Sequence, residues 1–285
     1  MADTSAYQTK YRNEFILGFE DRQSRLRHTV VTEANVNGNE AVFLVSDSGS
    51  ATAVTRGADG LIPARADSNT QNTATLAEWH DLVRKSRFNI FASQGNQTAL
   101  MQVTTMGVVN RKIDDDIIAQ LDAATNDTGA ASTASLSEVM HALTILGDNL
   151  VPIDEQDNMF GLISPGFWGE LMQLPEFSSA DYVKVQPFSG PVQTYLRWAG
   201  VNWIMHPRLT GSVGAGGAGS SEKCYIYHKN SIGHAIDKEG MDTAIGYEDE
   251  QDYSYCRCST FMGSKKLQNS GIVQILHDNS ANVAT

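Results

Sequence analysis

The chain has 285 residues, 41% of them hydrophobic and 19% charged, enough for one large domain or two interleaved lobes around a real core, which argues against wholesale disorder. Its apolar stretches fall short of the ~18 residues that a membrane span needs, and its start, MADTSAYQTK, lacks the basic and apolar regions of a secretory signal. The net charge of −12 sits after residue 112, where 9 Lys/Arg face 22 Asp/Glu, against 12 and 11 before it, so the chain is not expected to grip nucleic acid by itself.

Tyr7, Tyr11, Phe15 and Phe19 recur every four residues and so share one helix face. This predicts an amphipathic helix over 6–26 with Ser5 as N-cap, packed on the chain's own core or docked on a neighbouring copy. Residues 28–32 and 40–45 flank Asn37-Gly38, the dipeptide that supplies the positive φ angles of a tight hairpin turn. Residues 46–75 hold no stable period and few bulky apolar side chains, so a projecting loop is expected. Between 76 and 92 the signals conflict: Thr75-x-x-Glu78 reads as a capping box, whereas Phe88, Ile90 and Ala92 alternate like a strand. Leu100, Val103, Met106, Val109, Ile113, Ile117 and Leu121 are then spaced by three or four without a proline. They predict one helix of about 27 residues and about 40 Å. That is well beyond the usual ~10–14 residues and reads as a strut.

A linker rich in Ser, Thr, Ala and Gly at 125–134 marks a lobe boundary. Ser135-x-x-Glu138 is a capping box that opens a helix running to Gly147. Met159 to Ser164 reads as a buried strand, and Ser164-Pro165 starts a helix that turns Phe167, Trp168 and Leu171 inward. Residues 195–205 form a strand pair broken at Gly200. Residues 223–228, 253–262 and 271–277 are strands, and DNSANVAT is a frayed tail. Strands alternating with helices over 135–205 predict an α+β fold.

Candidate chemistry is sparse. Gly214-Ala-Gly216-Gly-Ala-Gly219 spells the dinucleotide fingerprint, with Asp237 at roughly the spacing of its acidic residue. Yet Pro207 and Arg208 precede it and a strand follows, so the helix end that would hold a pyrophosphate is missing; a surface loop is expected. Asp114-Asp115-Asp116 lies inside the long helix, where consecutive residues point ~100° apart and cannot converge on one cation. A solvated acidic face is expected instead. Cys256 and Cys258 share a strand face, but with only Cys224 and His228 elsewhere there is no second pair of zinc ligands. The three cysteines read as small buried hydrophobes suited to a reducing cytosol. Asn96-Gln-Thr98 and Asn126-Asp-Thr128 match the glycosylation pattern, which carries no meaning without a secretory signal. P-loop, H-E-x-x-H and G-x-S-x-G patterns are absent, and no acid, base or nucleophile accompanies the glycine run. No catalytic, cofactor-binding or metal-binding residue is assigned, no cofactor is expected, and the chain is not expected to be an enzyme.

The second half holds the segments Ser164-Pro-Gly-Phe-Trp-Gly-Glu-Leu171, Phe177-Ser-Ser-Ala-Asp-Tyr182 and Arg197-Trp-Ala-Gly-Val-Asn-Trp-Ile-Met-His-Pro-Arg-Leu209. Cys224-Tyr-Ile-Tyr-His-Lys-Asn-Ser-Ile-Gly-His-Ala235 and Met262-Gly-Ser-Lys-Lys-Leu-Gln-Asn-Ser-Gly-Ile-Val-Gln-Ile275 follow them. Gln23-Ser-Arg-Leu-Arg27 and Arg111-Lys-Ile-Asp-Asp-Asp-Ile-Ile118 precede them. In content and order these segments resemble the major capsid proteins of tailed bacteriophages with the Hong Kong ninety-seven fold, over most of residues 5–278.

The resemblance implies an α+β phage capsid fold with an N-terminal arm (1–45), an extended loop (46–92), a peripheral domain carrying a long spine helix (93–129 and 226–285) and an axial domain (130–225). It implies a coat protein that self-assembles as pentamers and hexamers into an icosahedral shell enclosing double-stranded DNA, without sequence-specific binding; an encapsulin-type bacterial compartment shell is the alternative. Implied partners are further copies of the chain and portal, scaffolding and decoration proteins, with no membrane, and the implied location is the virion capsid, assembled in the host cytoplasm. The chain has no room for the long cleaved scaffolding segment of some members, so a separate scaffolding protein is implied, and no covalent cross-linking pair is carried over.

Overall fold

The computed structural model describes residues 19–48, 51–65, 67–93, 96–175, 196–209, 221–238 and 240–281. The chain runs irregularly from Phe19 to Leu26, then makes β1 (Val31–Val36), β2 (Glu40–Asp47), β3 (Ser68–Thr75) and β4 (Ala77–Ser86). A short helix α1 (Arg87–Ala92) leads into the long helix α2 (Gln97–Asp122). Next come α3 (Leu136–Asp148), β5 (Met159–Ile163) and α4 (Pro165–Leu171), then the pair β6 (Leu196–Trp198) and β7 (Val201–Met205). The last strands are β8 (Ser221–His228), β9 (Ile232–Asp237), β10 (Asp242–Glu248), β11 (Tyr253–Lys266) and β12 (Ile272–Asp278).

The described residues form two five-stranded sheets and a separate two-stranded ladder, β2–β3. In the first sheet β11 is the organiser. Its 14 residues pair antiparallel with β4 along one edge and with β10 and then β9 along the other, and β1 closes the sheet parallel to β9. The second sheet has the order β12-β8-β5-β7-β6, with only β5 and β7 parallel.

Strand β8 shows how the core is divided. Tyr225 and Tyr227 point to one side, Cys224 and Ile226 to the other, and all four are buried, as expected of a strand covered on both faces. On the tyrosine side, Ile113, Ile117 and Leu121 of α2 pack with Phe160, Leu162, Ile204 and Ile272 of the second sheet and with Ile232, Ile236 and Met262 of the first. Helix α2 is therefore the wedge between the sheets. Each large side chain so buried contributes about 1.5–3 kcal/mol. On the other side, α3 and α4 lay Val139, Ala142, Leu146, Phe167 and Leu171 over Trp203, Ile226, Val273 and Ile275. Trp203 lies against β5 at Gly161, where a Cβ would stand 2.6 Å from the indole, so the strand can carry no side chain there.

Several expectations match: Ser135 caps α3 through the Glu138 N–H, Ser164 caps α4 with Pro165 in its first turn, and the β6–β7 turn falls at Ala199-Gly200 with both φ angles positive. Others need correction. Residues 19–26 are not helical; Tyr7, Tyr11 and Phe15 lie outside the described residues. β1 and β2 do not form a hairpin about Asn37-Gly38, because β1 takes a parallel partner, β9, and β2 pairs with β3. The expected loop at 46–75 thus contains a strand. In 76–92 the strand precedes the helix, and Phe88 and Ile90 belong to α1. In the first half of α2 the buried side chains are Gln97, Met101, Thr105 and Val109, while Val103 is exposed. A boundary at 225/226 would cut β8, and β12 is an edge of the second sheet, beside β8.

Candidate functional site

Asp114 is 1% exposed, at the crossing of three parts of the chain. The hydroxyl of Ser24 donates to its carboxylate at 2.5 Å, and the N–H groups of Arg25 and Leu26 donate at 3.0 and 3.2 Å. From behind β7, the Arg208 N–H donates to His206 Nδ1, which leaves Nε2 as the donor to Asp114 at 3.2 Å. Burial pushes this carboxyl up, but the bonds from His206, Ser24, Arg25 and Leu26 outweigh it and hold it below the ordinary 3.8. This fits the irregular end of the segment: the Arg25 and Leu26 N–H groups are satisfied by α2 and not by a helix of their own.

The three aspartates diverge, as helical geometry requires, but they do not form the expected solvated face. Asp115 accepts from Arg208 Nε and Nη2, at 2.5 and 2.7 Å. Asp116 turns toward Ser264 on β11, and burial raises its carboxyl against the pull of Ser264 and Lys112. One run of three acids therefore ties α2 to the N-terminal segment, the second sheet and the first sheet. The available signal was position: Asp114 lies three residues before Ile117 and seven before Leu121, on the apolar stripe itself.

The second feature is the ladder β2–β3, eight residue pairs that extend from the first sheet. Its root packs: Ala41 and Ala74 are buried with Ala235, Phe43 lies over Gly233, and the Asn72 amide donates to the Leu267 carbonyl. Thr75 crosses β11 so closely that a Cβ on Gly263 would stand 2.1 Å from its carbonyl oxygen. The opposite face of β2 is apolar as well. Val42 and Leu44 on the outward face are exposed, as are Val54, Leu61 and Ile62 in the connecting segment. A strand with one wet face normally puts polar residues there. An isolated two-stranded hairpin is also marginal in water.

The third feature, a second exposed surface, lies at the far end of the first sheet. Helix α1 buries none of its six residues, and Phe88 and Phe91 are 72% and 85% exposed. The Arg87 N–H donates to the Asp252 carbonyl, placing α1 beside the acidic turn Glu248-Asp249-Glu250-Gln251-Asp252.

The sequence's chemical candidates do not assemble into a centre. Among the described residues, no group of three or more His, Cys, Asp or Glu is placed to hold a metal. Cys224, Cys256 and Cys258 are buried free thiols, and burial pushes Cys224 up to about 12, so it is inert as a nucleophile. Asn96 caps α2, and Asn126 donates to the Asn269 and Ile272 carbonyls. The run Gly214–Gly219 and Phe177–Tyr182 lie outside the described residues. No described helix is long and apolar enough to cross a membrane.

The chain resembles in structure the capsid of cyanophage Pam1 (12% identity, 99% of both chains, TM-score 0.75) and that of cyanophage P-SCSP1u (11% identity, 97% of this chain and 94% of the other, TM-score 0.74). A chain from Mycobacterium phage Che8 is similar too, at 14% identity over 96% of this chain and 98% of the other, with a TM-score of 0.73. No curated protein matches in sequence. A family model described as phage capsid protein matches residues 4–279. The chain belongs to the phage capsid protein family and is a capsid shell protein.

Proposed function

We propose that many copies of this chain close as pentamers and hexamers into an icosahedral shell around double-stranded DNA. The observation that carries this reading is the β2–β3 hairpin, which extends past its packed root and exposes Val42, Leu44, Leu61 and Ile62. Such a face costs free energy in a monomer and is stabilised when a neighbouring copy covers it. One chain making different contacts in rings of five and six favours heterologous interfaces that close. The acidic balance after residue 112 suits walls that do not hold densely packed DNA tightly.

Within this reading the first sheet and α2 form the peripheral domain, β5–β8 with β12, α3 and α4 form the axial domain, β2–β3 is the extended loop, and the residues before β1 are the arm. Portal, scaffolding and decoration proteins are its further partners, and assembly takes place in the host cytoplasm. Electron microscopy of particles purified from expressing cells, followed by nuclease treatment, tests the proposal. Closed polyhedral particles that protect double-stranded DNA support it; particles filled with protein cargo, or none under any co-expression, overturn it.

A further inference from the structure

The sequence reads Asn37-Gly38 as a hairpin turn, yet β1 and β2 do not pair, so the dipeptide stands at the root of the extended hairpin without that role. Residues 37–39 are exposed. Gly38 has φ +125° and nothing within 4 Å of where a Cβ would lie. Among the described residues, neither the Asn37 amide nor the Gly38 N–H has a hydrogen-bond partner. Other asparagines are held: Asn202 donates to the Gln156 and Met159 carbonyls, and Asn110 to the Arg22 carbonyl. Beside Asn37 opens a cavity of about 440 Å³, lined also by Leu76, Glu78, Asp237, Lys238 and Phe261.

We propose that Asn37 is a self-modification site, deamidating through a cyclic imide formed with Gly38 and thereby changing the root of the hairpin. The Gly38 main-chain nitrogen gives up its proton to solvent base and attacks Asn37 Cγ. The N–Cγ bond forms, Nδ2 takes a proton from solvent, the Cγ–Nδ2 bond breaks, and ammonia leaves. Water then opens the imide at either carbonyl, giving aspartate or isoaspartate. A glycine is the residue that leaves this nitrogen sterically open. The new carboxylate shares the cavity with Glu78 and Asp237, against Lys238 alone among the lining residues, and like charges repel. Isoaspartate also lengthens the main chain in the connection that leads from β1 into β2, next to the Leu76 N–H that donates to the Asn39 carbonyl at 2.8 Å.

The test is peptide mass spectrometry with isoaspartate detection on the purified chain, held in mildly alkaline buffer beside Asn37→Gln. The expected result is conversion at Asn37 at least about tenfold faster than at Asn126 or Asn202, because only at Asn37 does a glycine follow. Equal rates at the three sites, or an intact Asn37, overturn the proposal. Hydrogen exchange of Asn37→Asp tests the consequence: faster exchange at the Leu76 amide supports it, and an unchanged rate contradicts it. Neither readout needs shells, so this inference can fail while the shell reading stands.

Discussion

Asp114 concentrates four hydrogen bonds on one buried carboxylate, so its loss is expected to be severe. Asp114→Ala leaves His206 and two backbone N–H groups unpaired, and removing one partner of a buried pair costs about 3–5 kcal/mol. Urea unfolding should report that loss. The pH signature follows from the same bonds. The folded carboxyl lies below 3.8, so its stabilisation is complete above that value and disappears as pH falls through the lower, folded one. Asp114→Asn should therefore flatten the loss of stability seen below about pH 4. His234 works in a separate window. It is fully buried; burial first, then Arg27, pushes it from 6.5 down to about 4. As pH drops below 6.5 the unfolded chain takes up a proton that the folded chain refuses, so stability declines until about pH 4. The full effect is on the order of 3 kcal/mol. His234→Gln should remove that decline in thermal unfolding measured between pH 6.5 and 4; a wild-type slope in the variant would contradict the assignment.

At the scale of elements, the hairpin root is the sensitive joint. Gly263→Ala brings a Cβ against the Thr75 carbonyl, a backbone atom that can move only with the hairpin. The expected result is a loss of roughly 1–3 kcal/mol, the range of overpacked sites, with faster hydrogen exchange along β3. What the sequence disclosed about such elements follows their range of interaction. Helix α2, the caps Ser135 and Ser164 and the turn at Gly200 are written in local spacing and were legible. The partners of β1 and β2 were not, because Asn37-Gly38 is a local signal and the competing pairing, β1 with β9, joins residues about two hundred positions apart. Asp114 was misjudged for the same reason: its partners Ser24 and His206 lie 90 and 92 residues away. β10 escaped notice because Thr243, Gly246 and Glu248 dilute its apolar pattern.

For the whole molecule, α2 belongs to the packing of both sheets, so the body can hold together while the hairpin and α1 reach outward. A truncation that probes the chain start should stop before Glu20. Glu20 pairs with Arg111, and Leu26 is fully buried, so deeper deletions damage the body itself. Removing residues 1–19 should leave the denaturant midpoint nearly unchanged while particle yield falls.

The shell claim is tested most directly by electron microscopy of two chains expressed side by side: the intact one, and one in which residues 51–65 are replaced by a short Gly-Ser link. The account predicts closed polyhedra from the first and folded, unassembled subunits from the second. Polyhedra of equal yield from both would show that the projecting hairpin does not tile the shell, and folded monomers from both would remove the shell reading altogether.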